Sequence, residues 1–221
     1  MTTSISNGSA LVQVFHETYG QPIRKNPTFF VPERAMRMGL IDEEFEELCK
    51  AQREDDFIEI VDAWADLVYV IYGAGKTHGL DVDHYIYRGM LGLPKPNLAV
   101  YGKPVLEAEY RKDVHNEIAL HYKHVSAVYK RANTHYAAGY RDDLAFAWAG
   151  LVVAVYNAAR EHNVDLNEVL LEVQRSNLSK LGTDENGNKV VLRREDGKIL
   201  KGPDFSQPDI LEALRKQGYE G

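Results

Sequence analysis

The segment from Ile58 to Tyr72 constrains this chain most, because it is apolar almost all round and still carries three acids. Ile58, Ile60, Val61, Trp64, Leu67 and Val68 leave no polar face for solvent, so a helix here has to be buried. At ~100° per residue, Glu59, Asp62 and Asp66 fall within about 60° of one another and make a single stripe. A buried carboxylate without a partner is costly, and converging carboxylates also repel. A cation is expected to meet that stripe.

The preceding segment, residues 33–52, supplies a second set of acids. Met36, Leu40, Ile41, Phe45 and Leu48 share one helical face, while Glu43, Glu44, Glu46 and Glu47 cluster beside it. Glu44 and Glu47 are an i,i+3 pair. Taken alone, this run reads equally well as a solvated acidic face. Taken with Glu59, Asp62 and Asp66, two antiparallel helices each offer an acid-x-x-acid pair, and together they make an oxygen-rich cage. Such donors suit Mg²⁺, with Mn²⁺ as the alternative. The absence of a His or Cys cluster beside them argues against zinc.

Helical spacing also predicts a short helix over 11–18, a long one over about 56–78 closed by Gly79, and a short one from Asp81 or Asp83 to about Gly92. Pro94, Pro96 and Pro104 mark a linker. Further helices are expected at about 105–135, 142–162, 166–179 and 208–217. Lys189–Leu200, with Glu195-Asp196-Gly197 at its centre, reads as a small β-hairpin.

The long helix recurs. AWADLVYVIYGAGKTHGLDVD (63–83) aligns without a gap to AWAGLVVAVYNAAREHNVDLN (147–167), and eight of the 20 positions from Trp64 to Asp83 are identical. They include Trp64/Trp148, Tyr72/Tyr156, His78/His162 and Asp81/Asp165. The expectation is an all-α helical bundle built from two fused repeats, an intramolecular pseudo-dimer with a hairpin tail. Its divisions are 11–100, which carries the acids; 105–181, a degenerate copy; and 182–221, the tail. In the second copy Phe146 replaces Asp62 and Gly150 replaces Asp66, so the helix does not need these acids to fold.

A net charge of −7 and the lack of a basic run exclude a nucleic-acid backbone or an anionic membrane as the main partner. The most apolar stretch, Leu67–Tyr72, is far shorter than the ~20 residues that span a bilayer, and Met1–Ala10 lacks the pattern of a signal peptide. With the single cysteine, Cys49, the chain reads as soluble and cytoplasmic.

EEFEEL followed by EIVDAWADLVYVIYGAG resembles the E-x-x-E…E-x-x-D signature of the all-α nucleoside triphosphate pyrophosphohydrolases, the MazG-like and phosphoribosyl-ATP pyrophosphohydrolase-like superfamily. The lead-in VFHETYGQPIRKNPTF is similar to that of its small, phage-like and bacterial members. EVQRSNLSKLG and LRREDGKILKGPDFSQPDI resemble their C-terminal ending. That ending follows the acid-poor copy here, so the first copy keeps the acids and the second keeps the Ser-Asn-x-Ser-Lys segment.

The resemblance implies hydrolysis of a nucleoside triphosphate, NTP or dNTP, to the monophosphate and pyrophosphate, with a dNTP favoured for nucleotide-pool control. Glu44, Glu47, Glu59 and Asp62 would be the catalytic, metal-holding acids, and Glu47 is a candidate base. Asp66 would hold a metal or orient a ligand. Lys25, Arg34 and Arg37 would contact phosphates or be ordinary surface cations. Tyr69 would stack on a base or belong to the core, and Asn177 and Lys180 would contact substrate. His16 receives no role. Two rivals stay open: a phosphoribosyl-ATP pyrophosphohydrolase, and a catalytically idle nucleotide- or metal-binding regulatory protein. The assembly, a homodimer among the options, is open as well.

Overall fold

In a computed structural model, which describes residues 7–90, 110–132 and 139–221, the chain is an all-α bundle of eight helices with a short β-ladder in the tail. The helices are α1 (Gly8–Thr18), α2 (Val31–Glu54), α3 (Phe57–His78), α4 (Val82–Met90), α5 (Tyr110–Ala132), α6 (Gly139–Glu161), α7 (Leu166–Leu178) and α8 (Ile210–Lys216). The predicted linker around Pro94, Pro96 and Pro104 lies outside the described residues. Among the described residues no helix is long and apolar enough to cross a membrane.

Local chemistry sets the helix ends. Pro32 opens α2 in the first turn, where its missing N–H costs nothing. Asp55, in the left-handed region at φ 61°, ends it. Asp56 caps α3 by accepting from the N–H groups of Ile58 (3.1 Å) and Glu59 (3.2 Å). With only Asp55 and Asp56 between them, α2 and α3 run antiparallel and pack along their length.

α3 is the axis of the core. Trp64, Leu67, Val68 and Ile71 are fully buried on it, and α1, α2, α6, α7 and α8 all pack against it. The apolar helix therefore meets other protein on every side, as its composition requires. One hydrophobic cluster joins residues of α1–α4 to residues of α5–α8.

Positions that correspond in the repeat adopt the same local geometry. Gly79 ends α3 at φ 68°, and its counterpart Asn163 follows α6 at φ 58°. The Leu80 N–H donates to the Gly75 carbonyl (2.9 Å), and the Val164 N–H donates to the Ala159 carbonyl (2.8 Å). Tyr72 donates to Asp83 at 2.6 Å, and Tyr156 donates to Asn167 at 2.9 Å. The two halves also touch reciprocally: Trp64 lies against His162 (5.3 Å between ring centres) and Trp148 against His78 (6.1 Å).

The tail departs from the expected hairpin over 189–200. The ladder instead pairs Gly182–Thr183 with Lys189–Val190. Its turn is organised by the Asp184 carboxylate, which accepts from the N–H groups of Asn186 (2.9 Å) and Asn188 (2.8 Å). The expected segment shrinks to a lone bridge between Arg193 and Ile199 around the Glu195-Asp196-Gly197 turn. Its flanking side chains are committed elsewhere: Arg193 donates to the Tyr19 carbonyl and Lys198 pairs with Glu43. The two arms still pair across that turn: the Arg194 N–H donates to the Lys198 carbonyl and the Leu200 N–H to the Leu192 carbonyl, each at 2.9 Å.

Candidate functional site

A cavity of ≈ 600 Å³ runs along one side of α3. On α3 itself, Glu59, Asp62, Asp66, Tyr69, Val70 and Gly73 line it, the helical stripe expected for a single face. The antiparallel α2 adds Met36, Arg37, Leu40, Glu43, Glu44 and Glu47. The acid-x-x-acid pairs of both helices therefore open into one space. Val12, Phe15 and His16 of α1 and the connecting Gln21 close the end beside Gly73.

The basic part of the lining comes from far along the chain. Asn177 and Lys180 arrive at the end of α7, and Lys198 and Lys201 arrive on the irregular tail. Residues of α7 and of the tail thus complete the cavity lined by the acids of α2 and α3. The Tyr19 hydroxyl donates to the carbonyls of Asn177 (3.0 Å) and Leu178 (2.9 Å), and Tyr69 donates to Gln174 (2.5 Å), which pins α7 beside α1 and α3.

Burial shapes the charge state of the acids. Desolvation first, then the neighbouring carboxylates, hold Glu44, Asp62 and Asp66 well above the ordinary carboxylate range. For Glu44 the repelling neighbours are Asp66, Glu47 and Glu43; for Asp62 they are Asp66, Glu59 and Glu47. Lys180, Lys201 and Lys198 pull against the rise at Asp66. Asp62 also keeps one buried oxygen, Oδ1, without a hydrogen-bond partner. Among the described residues no three His, Cys, Asp or Glu side chains are drawn together into a ready metal cage. The donor set still fits a hard divalent cation: all oxygen, mutually repelling, with an unpartnered buried carboxylate oxygen facing the cavity.

The end beside Gly73 has its own organisation. His16 is fully buried; its Nδ1 lies 2.8 Å from the Pro22 carbonyl and its Nε2 has no partner. Burial, and then the charge of Arg37, lower its pKa to about 3. Arg37 donates to Gln21 at 2.9 Å, and its own pKa falls to about 10 through burial.

Three expectations about cations divide. Arg37 reaches the cavity. Arg34 does not: it is buried with its guanidinium over the Tyr129 ring of α5, 5.6 Å from the ring centre. Lys25 is exposed in the connection before α2 and does not line the cavity. Tyr69 is 6% exposed, as the core expectation requires, and it also lines the cavity. Lys198, Lys201, Phe205 and Gln21 escaped the sequence reading. The signal for the lysines was present in LRREDGKILKGPDF, but nothing local ties that segment to helices more than 100 residues earlier.

Residues 12–87, which carry every acid of the cavity, match the family described as phosphoribosyl-ATP pyrophosphohydrolase. Uncharacterized protein L479 of Acanthamoeba polyphaga mimivirus is 28% identical to this chain over 244 aligned residues, spanning 90% of this chain and 92% of its own length. Residues 12–87 are therefore a domain of the all-α, MazG-like nucleotide pyrophosphohydrolase superfamily.

Proposed function

We propose that the chain is a metal-dependent nucleotide pyrophosphohydrolase that converts a nucleoside triphosphate, with a dNTP favoured, to the monophosphate and pyrophosphate. The observation that carries the reading is the two-signed cavity, lined by carboxylates from α2 and α3 and by lysines from the end of α7 and the tail. A metal–polyphosphate is the ligand chemistry that satisfies both sets of charges at once.

Glu44, Glu47, Glu59 and Asp62 would hold the metal, and Asp66 would hold it or orient a ligand. When bound, the ion, Mg²⁺ or Mn²⁺, supplies positive charge to the phosphates and acidifies the attacking water. Glu47, exposed to the cavity, takes that water's proton as the oxygen attacks the α-phosphorus. The bond to the bridging oxygen breaks, and pyrophosphate leaves with the electron pair. Asn177 and Lys180 contact the substrate, and Arg37 lies at the nucleoside end.

We propose in addition that residues 11–100 and 105–181 are fused copies of one helical unit, so that the second copy acts as a built-in partner and the chain has one metal site. The matching turn geometry and the reciprocal Trp–His contacts support this reading.

A second reading is favoured by the description of the matching family, which names phosphoribosyl-ATP as the substrate. One panel decides between them: NTPs, dNTPs and phosphoribosyl-ATP with Mg²⁺ or Mn²⁺, assayed for pyrophosphate release. Release from a dNTP is the expected result. Release from phosphoribosyl-ATP alone would select the second reading, and release from none would leave an idle binding protein.

A further inference from the structure

We propose that Lys180 and Lys201 form a clamp for the two distal phosphates, so that the site selects nucleotides by the length of their phosphate chain. The inference rests on the pyrophosphohydrolase reading and adds a phosphate-specific subsite to it.

The cavity is graded along α3. From Glu59 to Gly73 the lining helix rises roughly 20 Å at ~1.5 Å per residue. Glu59, Asp62 and Asp66 occupy one end of that stripe, and Tyr69, Val70 and Gly73, beside Phe15 and Val12, occupy the other. The Tyr69 end, which is also lined by Arg37, His16 and Gln21, offers rings and hydrogen-bonding groups for a nucleoside, and the acidic end suits a metal-bound polyphosphate. With the nucleoside against Tyr69, the phosphates furthest from it lie toward Asp62 and Glu59.

The lysines differ in what they already hold. Lys198 is engaged: its Nζ lies 2.7 and 2.6 Å from the two carboxylate oxygens of Glu43. Lys180 donates to the neutral Asn177 side-chain oxygen (2.6 Å), and Lys201 sits over the Phe205 ring, 4.6 Å from its centre. Among the described residues neither is in ion-pair contact with a carboxylate, although both line the cavity with the acids and their charges act on Asp66. Two such ammonium groups in one cavity with a carboxylate stripe call for an anion between them that also carries a metal.

The backbone brings the two together. Gly202 follows Lys201 and lies so close to Lys180 that an added Cβ would stand 2.6 Å from the Lys180 carbonyl oxygen. A second close approach, Gly182 against Pro203, fixes the same crossing. The tail is thereby pressed onto the end of α7 at the point where both lysines enter the cavity.

Calorimetric titration of the full chain with inorganic pyrophosphate, and separately with nucleoside monophosphates, in Mg²⁺ tests the clamp. Wild type is expected to bind pyrophosphate. Lys201→Met should weaken that binding ~10-fold or more, the usual scale of one charged hydrogen bond, and leave monophosphate binding nearly unchanged. Lys201→Arg should restore most of the loss. Lys180→Met, with its folding checked by thermal unfolding, should repeat the pattern. No pyrophosphate binding by wild type, no loss in Lys201→Met, or equal loss for both ligands would overturn the clamp. Binding in the expected pattern by a protein that hydrolyses no nucleotide would keep the clamp and remove the enzyme reading instead.

Discussion

His162 lies against Trp64 with 5.3 Å between ring centres, and the residues aligned with them in the sequence, His78 and Trp148, also meet, with 6.1 Å between ring centres and more nearly parallel planes. Trp64 is 0% and Trp148 2% exposed. Removing either ring opens a large cavity between the halves, a change that costs about 3–5 kcal/mol in packed cores. Trp148→Ala should therefore destabilise α3 and its acids as strongly as Trp64→Ala does, although Trp148 stands in the other half. Denaturant unfolding should show one cooperative transition shifted by a similar amount in each variant. Two separate transitions would mean that the halves fold as independent units.

The proposed role of the acids in the site, and not in the fold, can be tested by neutral substitution. Asp62 has a buried oxygen with no partner and is surrounded by Asp66, Glu59 and Glu47. Asp62→Asn and Glu47→Gln should lower turnover by ~100-fold or more, in line with losing a positioned catalytic group. Thermal unfolding without metal should show both variants at least as stable as wild type, because each removes like-charge repulsion. Substantial activity in either variant would contradict the metal assignment.

The helices, the acid stripe and its two-helix pairing were legible in the sequence because each depends on periodicity within about 20 residues. The tail was not. Asp184 organises a turn and a ladder ahead of the expected Glu195-Asp196-Gly197 turn, which also forms. Lys198 finds Glu43 at a separation of 155 residues, which no local pattern encodes. Arg34 illustrates the same limit on a single helix: it lies one turn from Arg37, yet a Tyr129 ring on α5 draws it away from the cavity.

Histidines buried as neutral bases make the fold acid-sensitive. Burial lowers the pKa of His16 from 6.5 to about 3 and that of His78 to about 4. Above pH 6.5 both are neutral whether the chain is folded or unfolded, so they contribute no pH dependence there. As pH falls below 6.5 the unfolded chain takes up protons that the folded chain refuses. Stability should therefore fall by about 1.4 kcal/mol per pH unit for each histidine until the folded values are reached. Urea midpoints from pH 7 to pH 4 would measure the slope, and His16→Gln should make it shallower. An unchanged slope would show that His16 is charged in the folded protein.

Two glycines separate tail placement from general stability. Gly39 lies on the exposed side of α2, and an added Cβ there meets nothing within 4 Å. Gly39→Ala should stabilise the chain by roughly 0.5–1 kcal/mol through helix propensity and leave catalysis alone. At Gly202 the added Cβ would stand 2.6 Å from the Lys180 carbonyl and 3.2 Å from the Gly182 nitrogen, both backbone atoms that cannot swing aside. Gly202→Ala should cost about 1–3 kcal/mol as an overpacking change. It should also lift Lys201 out of register with Lys180. The expected kinetic signature is a raised KM for the substrate found in the pyrophosphate-release panel, with affinity for the monophosphate product little changed. A Gly202→Ala protein that loses stability but keeps the wild-type KM would show that the tail's close approach to α7 is structural and does not set the substrate site.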